Sequence, residues 1–183
     1  MERAGQMQEV SAEELLRSEN VTKGQMMAAR FLKENSYDLA AALAGQDPAL
    51  RPYLAQGARE TFLLNINLPL DEEETLANRR AMSGLAALGQ DRGALAESLG
   101  ELEYLFDYYG KAMDSTYQRL KDNFSQRAAR TPKKAEGRMA PGMVIDVERQ
   151  PAFLEEWSRV RGQLGAQFEE KLSEVKQRIR EIG

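Results

Sequence analysis

A chain of 183 residues, 42% hydrophobic and 30% charged, is long enough to bury a core while keeping much solvated surface. Its 25 basic and 29 acidic residues leave a net charge of −4, so the bulk charge draws it neither to nucleic acid nor to an anionic membrane. Having neither cysteine nor histidine, it cannot form disulfides, an ordinary zinc site, a histidine-based nucleophilic triad or the Glu-x-x-His arrangement of di-iron bundles.

The opening stretch "MERAGQMQEVSAEELL" lacks the apolar segment of a secretory signal. No run approaches the roughly 20 apolar residues of a membrane span, so no span and a cytoplasmic location are expected. Ser11 and Glu14 form a capping box that starts the first helix, and Thr22 with Gln25 repeats the device, with Val21 and Met26 placed as a hydrophobic staple. The pattern continues through "YDLAAALAG" to Gly45, where a left-handed cap is expected, and Asp47-Pro48 then reads as an N-cap followed by a first-turn proline. The next helix runs toward "ARETFLLNI". In "FLLNINLPLDEEE", residues 62–74, the brief alternation suits an edge strand, but Pro69 and the Asp71 cap with three following acids favour a helix end and a new start. That new helix stops at Gly89.

Beyond Asp91 the pattern becomes a coiled-coil seam. Leu95, Leu99, Leu102, Phe106, Tyr109 and Met113 alternate steps of four and three, and Tyr117, Leu120 and Phe124 follow after one extra step of four. The helix opened by Pro151 carries Phe153, Trp157, Val160 and Leu164, then after an extra step Phe168, Leu172, Val175, Ile179 and Ile182. Each has one stutter. Aligning the stutters in an antiparallel hairpin sets Met113 and Tyr117 beside Leu164 and Phe168, and Phe124 opposite Trp157; the alternative is two independent stutters on unpaired helices. The expected fold is therefore all-α, an N-terminal helical segment (1–89) packed on the base of a long antiparallel hairpin (90–183). Tyr104, Leu105 and Tyr108 widen the apolar face where that packing is expected.

The connection at the hairpin's far end, about 129–150, includes "AARTPKKAEGRMAPG". From Arg119 to Arg138, seven cations (Arg119, Lys121, Arg127, Arg130, Lys133, Lys134, Arg138) against Asp122 and Glu136 give a local charge of +5. Solubility and complementation of a helix C-terminus account for such charge, and so does docking of an acidic partner through Arg127, Arg130, Lys133, Lys134 and Arg138, with "MVIDV" at 143–147 adding an extended segment. The loop lacks the aromatics that single-stranded nucleic acid requires, so an acidic protein is the better partner.

Other candidate chemistry has plainer explanations. "GLAALGQD" has phosphate-loop glycine spacing but Gln90 and Asp91 stand where lysine and a hydroxyl are needed. Glu97, Glu101, Glu103 and Asp107 read as a solvated face, and Met26, Met27, Met82 and Met113 as core filling rather than an adaptable groove. Tyr104, Tyr108, Tyr109 and Tyr117 take the same core reading, and Trp157 is expected to pack on Phe124.

Through "MMAARFL" at 26–32, "FLLNINLPLDEEE" at 62–74 and "QPAFLEEW" at 150–157, the chain resembles an uncharacterised family of bacterial all-helical proteins. The resemblance implies an all-helical cytoplasmic protein and no activity. The expectation is thus a non-catalytic interaction or scaffold protein, without cofactor or metal, that self-associates or engages another helical or acidic protein. The alternative is a weak binder of nucleic acid or another anionic surface through the tip; an enzyme ranks third.

Overall fold

The structure, a computed structural model, describes residues 11–89, 91–130 and 146–182. Among these residues the fold is all-α: α1 (Ala12–Lys33), α2 (Leu39–Ala44), α3 (Arg51–Leu64), α4 (Glu72–Ala87), α5 (Arg92–Arg130), a 3-10 turn (Val147–Arg149) and α6 (Pro151–Glu181), with no strand. None of the described helices is long and apolar enough to cross a membrane. Two compact units emerge, one of residues Met1–Gly100 and Val175–Gly183, the other of Glu101–Glu174. The division passes through α5 and α6 rather than through the loop at Gly89.

In the first unit, local chemistry sets the helix ends. The Ser11 hydroxyl accepts from the Glu14 amide at 3.2 Å while the Glu14 carboxylate accepts from the Ser11 amide at 2.9 Å, the reciprocal box that starts α1. Asp71 accepts from the Glu74 amide at 2.8 Å to start α4, and the Glu74 carboxylate takes the Leu70 amide at 2.7 Å. Gly89, with φ of 73°, occupies the left-handed region just past α4, where L side chains are disfavoured.

Three expected boundaries differ. Thr22 starts nothing: α1 runs through it, and the Thr22 hydroxyl donates to the Ser18 carbonyl at 2.9 Å. The reason is tertiary, because Gly24, Met27 and Ala28 on this stretch are buried, and burial carries the helix past a local cap signal. Gly45 stays right-handed at φ −75°, since Arg51 donates to the Ala44 and Gln46 carbonyls at 2.7 and 3.1 Å and satisfies the end of α2. Asp47 accepts from the Ala49 amide at 2.9 Å in a turn, and α3 begins only at Arg51, with Pro52 in its first turn.

The crossing of α1 and α3 is a backbone contact. A Cβ added at Gly24 would lie 2.0 Å from the Leu54 carbonyl oxygen, and one at Gly57 would lie 1.9 Å from that of Val21, so each helix presents its glycine to the other's main chain. Around this crossing Leu54, Ala58, Phe62, Leu63, Ile66 and Ala81 are fully buried. A Cβ at Gly84 would lie 2.4 Å from the Phe62 ring, which meets Phe31 edge-on at 5.6 Å.

Polar side chains close the remaining main-chain groups. The guanidinium of Arg80, from α4, donates to the Phe31 carbonyl at 3.0 and 2.7 Å and to that of Glu34 at 3.0 Å, capping α1 while lying 3.8 Å over the Phe31 ring. Buried Asn78 pairs with both main-chain groups of Asn67, at 2.9 and 2.6 Å, as a neighbouring strand would. The 62–74 segment therefore is a helix end and an irregular connection, as Pro69 and Asp71 indicated.

In the second unit, contacts between α5 and α6 run through rings. Tyr109 meets Phe168 at 5.1 Å, Tyr117 meets Trp157 at 5.0 Å and Phe153 at 5.7 Å, and Phe124 meets Phe153 at 5.4 Å. The partners descend along α6 as they ascend along α5, so these stretches are antiparallel. The register differs from the expected one: Phe124 meets Phe153, one turn before Trp157, and Tyr117 meets Trp157 and Phe153, two to three turns before Leu164. Aligning stutters ignored ring geometry, whereas Tyr117 and Phe124 here seat edge-on against α6 rings, at interplanar angles of 75–89°.

Candidate interaction surface

Of the five cations singled out as partner-binding, Arg127 and Arg130 lie at the end of α5, both exposed; Lys133, Lys134 and Arg138 lie outside the described residues. Arg127 lies 5.8 Å over the Phe124 ring. Its charge adds a small part to the lowering of the Glu156 pKa, which comes mainly from the hydrogen bond with Arg159. The "MVIDV" segment is described only from Asp146, and its Val147 is buried at the start of the 3-10 turn.

That turn is pinned to α5 by a polar cluster the sequence did not reveal. The Tyr117 hydroxyl donates a short hydrogen bond to the Glu148 carboxylate, and Lys121 lies 3.1 Å from the same oxygen. The bond from Tyr117, then that from Lys121, holds the Glu148 carboxyl below its ordinary pKa, and the bond to Glu148 raises the Tyr117 phenol. Tyr117 and Lys121 are four apart on α5 and so share a face, but nothing in the sequence marks Glu148 as their partner.

The tyrosines divide in two. Tyr109 is buried against Phe168 and Tyr117 is half-buried, as core positions should be. Tyr104 and Tyr108 instead are 71% and 55% exposed, so the burial expected of them is not found. Their rings stack on one another at 6.2 Å with 4° between planes, and Tyr108 also contacts Phe168 at 5.7 Å. The signal was present: with Leu102, Phe106 and Tyr109 already filling the seam, Tyr104 and Tyr108 are surplus to it and fall on the flank of α5.

Other candidates resolve individually. Met27 and Met82 are buried and Met113 half-buried, but Met26 is 68% exposed, which corrects its assignment to the core. Trp157 stands edge-on to Tyr117 rather than packing on Phe124, which takes Phe153. Glu97, Glu103 and Asp107 are exposed, Glu101 is half-buried, and Asp107 pairs with Lys111 at 2.6 Å. Among the described residues no three acidic groups gather where they could hold a metal ion. The surface thus offers apolar and aromatic contact, with charge at its rim.

Residues 40–181 match the model of a family of unknown function, DUF6657, a span that takes in "FLLNINLPLDEEE" and "QPAFLEEW" but not "MMAARFL". No curated protein and no solved structure matches the chain. By the extent of that family match, the chain belongs to DUF6657.

Proposed function

We propose that the chain is a non-catalytic, cytoplasmic interaction protein whose second unit engages a helical partner, either another copy or an acidic protein. The observation that carries this reading is the incomplete cover of the α5–α6 seam. Phe106, Met113, Leu120, Phe124, Trp157, Val160 and Leu164 are only half-buried, and Tyr104, Tyr108 and Leu154 are exposed. Two helices alone leave such a seam open on its flanks, and a third helix laid along it would remove that apolar surface from water. The local +5 charge between Arg119 and Arg138 supports an acidic character for a partner reaching that end.

Affinity capture from the native host with chemical crosslinking tests the reading. Crosslinks are expected within 101–174, either to a second copy or to another protein. Replacing Arg130, Lys133, Lys134 and Arg138 with alanine is expected to leave helicity unchanged and to weaken capture of an acidic partner, the loss being largest at low salt. Crosslinks confined to the first unit would overturn the reading.

A further inference from the structure

Building on that reading, we infer that the Tyr104–Tyr108 face of α5 is occupied by the same face of a second copy, in an antiparallel contact about a two-fold axis. Single exposed tyrosines are ordinary on a protein surface. Two rings stacked with 4° between their planes, one of them also resting on Phe168, instead form an ordered apolar step. Such a step loses little side-chain freedom on binding.

What selects a second copy is the symmetry of the flanking residues. An axis at the level of Phe106 exchanges Tyr104 with Tyr108, each two positions away, and Glu101 with Lys111, each five away. The contact therefore sets rings against rings at its centre and opposite charges against each other at both ends. A parallel pairing would instead oppose Glu101 to Glu101 and Lys111 to Lys111, which like-charge repulsion disfavours. An unrelated partner requires no such internal match; an isologous dimer does, because every contact in it is made twice. Lys111 already lies 2.6 Å from Asp107 of its own helix, with both side chains largely exposed. An ammonium has three donor hydrogens, so it can keep Asp107 and also donate to a carboxylate from across the axis.

Sedimentation of the full chain, from about 1 to about 100 µM to cover weak association, reads this out. The wild-type chain is expected to form a dimer and nothing larger. Glu101→Lys alone and Lys111→Glu alone are each expected to weaken the dimer about tenfold or more, by creating like-charge pairs at both ends. Mixed in equal amounts, the two variants are expected to regain it, since every reversed charge then faces an opposite one. A variant that had merely misfolded would not be rescued by mixing. A wild-type chain monomeric throughout would overturn the inference while leaving intact any crosslinks from 101–174 to a different protein. A dimer that both variants retain unchanged would place the contact elsewhere and overturn the α5 pairing, while leaving self-association standing.

Discussion

At its central crossing the first unit packs main chain against main chain, whereas the helices of the second meet ring against ring. At the α1–α3 crossing two glycines bring each helix against the other's main chain, and the surrounding residues, Leu54, Ala58 and Phe62, are fully buried. Along α5 and α6 of the second unit bulky rings hold the helices, and most of the seam stays half-buried. Close approach completes a core within one chain; large side chains between two helices leave margins. Stability should therefore reside in the first unit and the capacity for contact in the second.

Substitutions of matched size break or sharpen that contrast. The largest effect is expected for Phe62→Ala, where a fully buried ring against Phe31 and Gly84 is lost and about 4 kcal/mol of stability should go with it, read by urea denaturation followed by circular dichroism. Gly57→Ala comes next: a methyl group 1.9 Å from a rigid carbonyl oxygen must force α1 and α3 apart, at about 3 kcal/mol. Near-normal stability in that variant would show that the two main chains do not touch at Gly57. Phe124→Ala removes a ring of the same size that is only half-buried, and about 1 kcal/mol is expected. The sole tryptophan, Trp157, lies in the second unit, so its fluorescence reports that unit while dichroism reports the whole chain. Separation of the two transitions would show that the units unfold apart.

The smallest effect is a pH dependence. The Glu148 pKa is depressed in the folded chain, so its bonds to Tyr117 and Lys121 contribute stability above the ordinary carboxylate range and lose it as pH falls through the folded value. Below about pH 4 the Trp157 transition of the wild-type chain should move toward that of Glu148→Gln, and above it the two should differ. Equal profiles for both chains would remove Glu148 from the account of how the turn is held.

Much of this contrast was legible in the sequence where one short segment carries the whole cause. The Ser11–Glu14 box, the Asp71 cap and the stop at Gly89 depend on groups within a turn of each other, and each is found. The seam residues of α5 and α6 were legible for the same reason: periodicity fixes a face, and every one of them is buried or half-buried. What failed needed a partner distant in sequence. Thr22 carries a good cap signal overridden by burial against α3, and Gly45 is relieved of its left-handed role by Arg51. Gly24 and Gly57 look like helix-weakening residues until their crossing is seen. The hairpin register was set by ring geometry and not by stutters. The basic tip was legible as charge alone, and of the five cations singled out as partner-binding only Arg127 and Arg130 fall on described residues.

Arg59 of α3 donates to the Arg180 carbonyl at 2.8 Å, and the Arg180 guanidinium returns to the Glu60 carboxylate at 3.1 Å, a clasp between residues 121 positions apart. Its consequence concerns birth on the ribosome. The second unit is one uninterrupted stretch, Glu101–Glu174, whereas the first waits for Val175 onward before its buried Arg59 finds an acceptor. Closing so long a loop costs little more entropy than closing one half its length, but it cannot start until the chain exists. The clasp is therefore the last contact of the first unit to become possible on a growing chain, after α1–α4 and every residue of the second unit have been made.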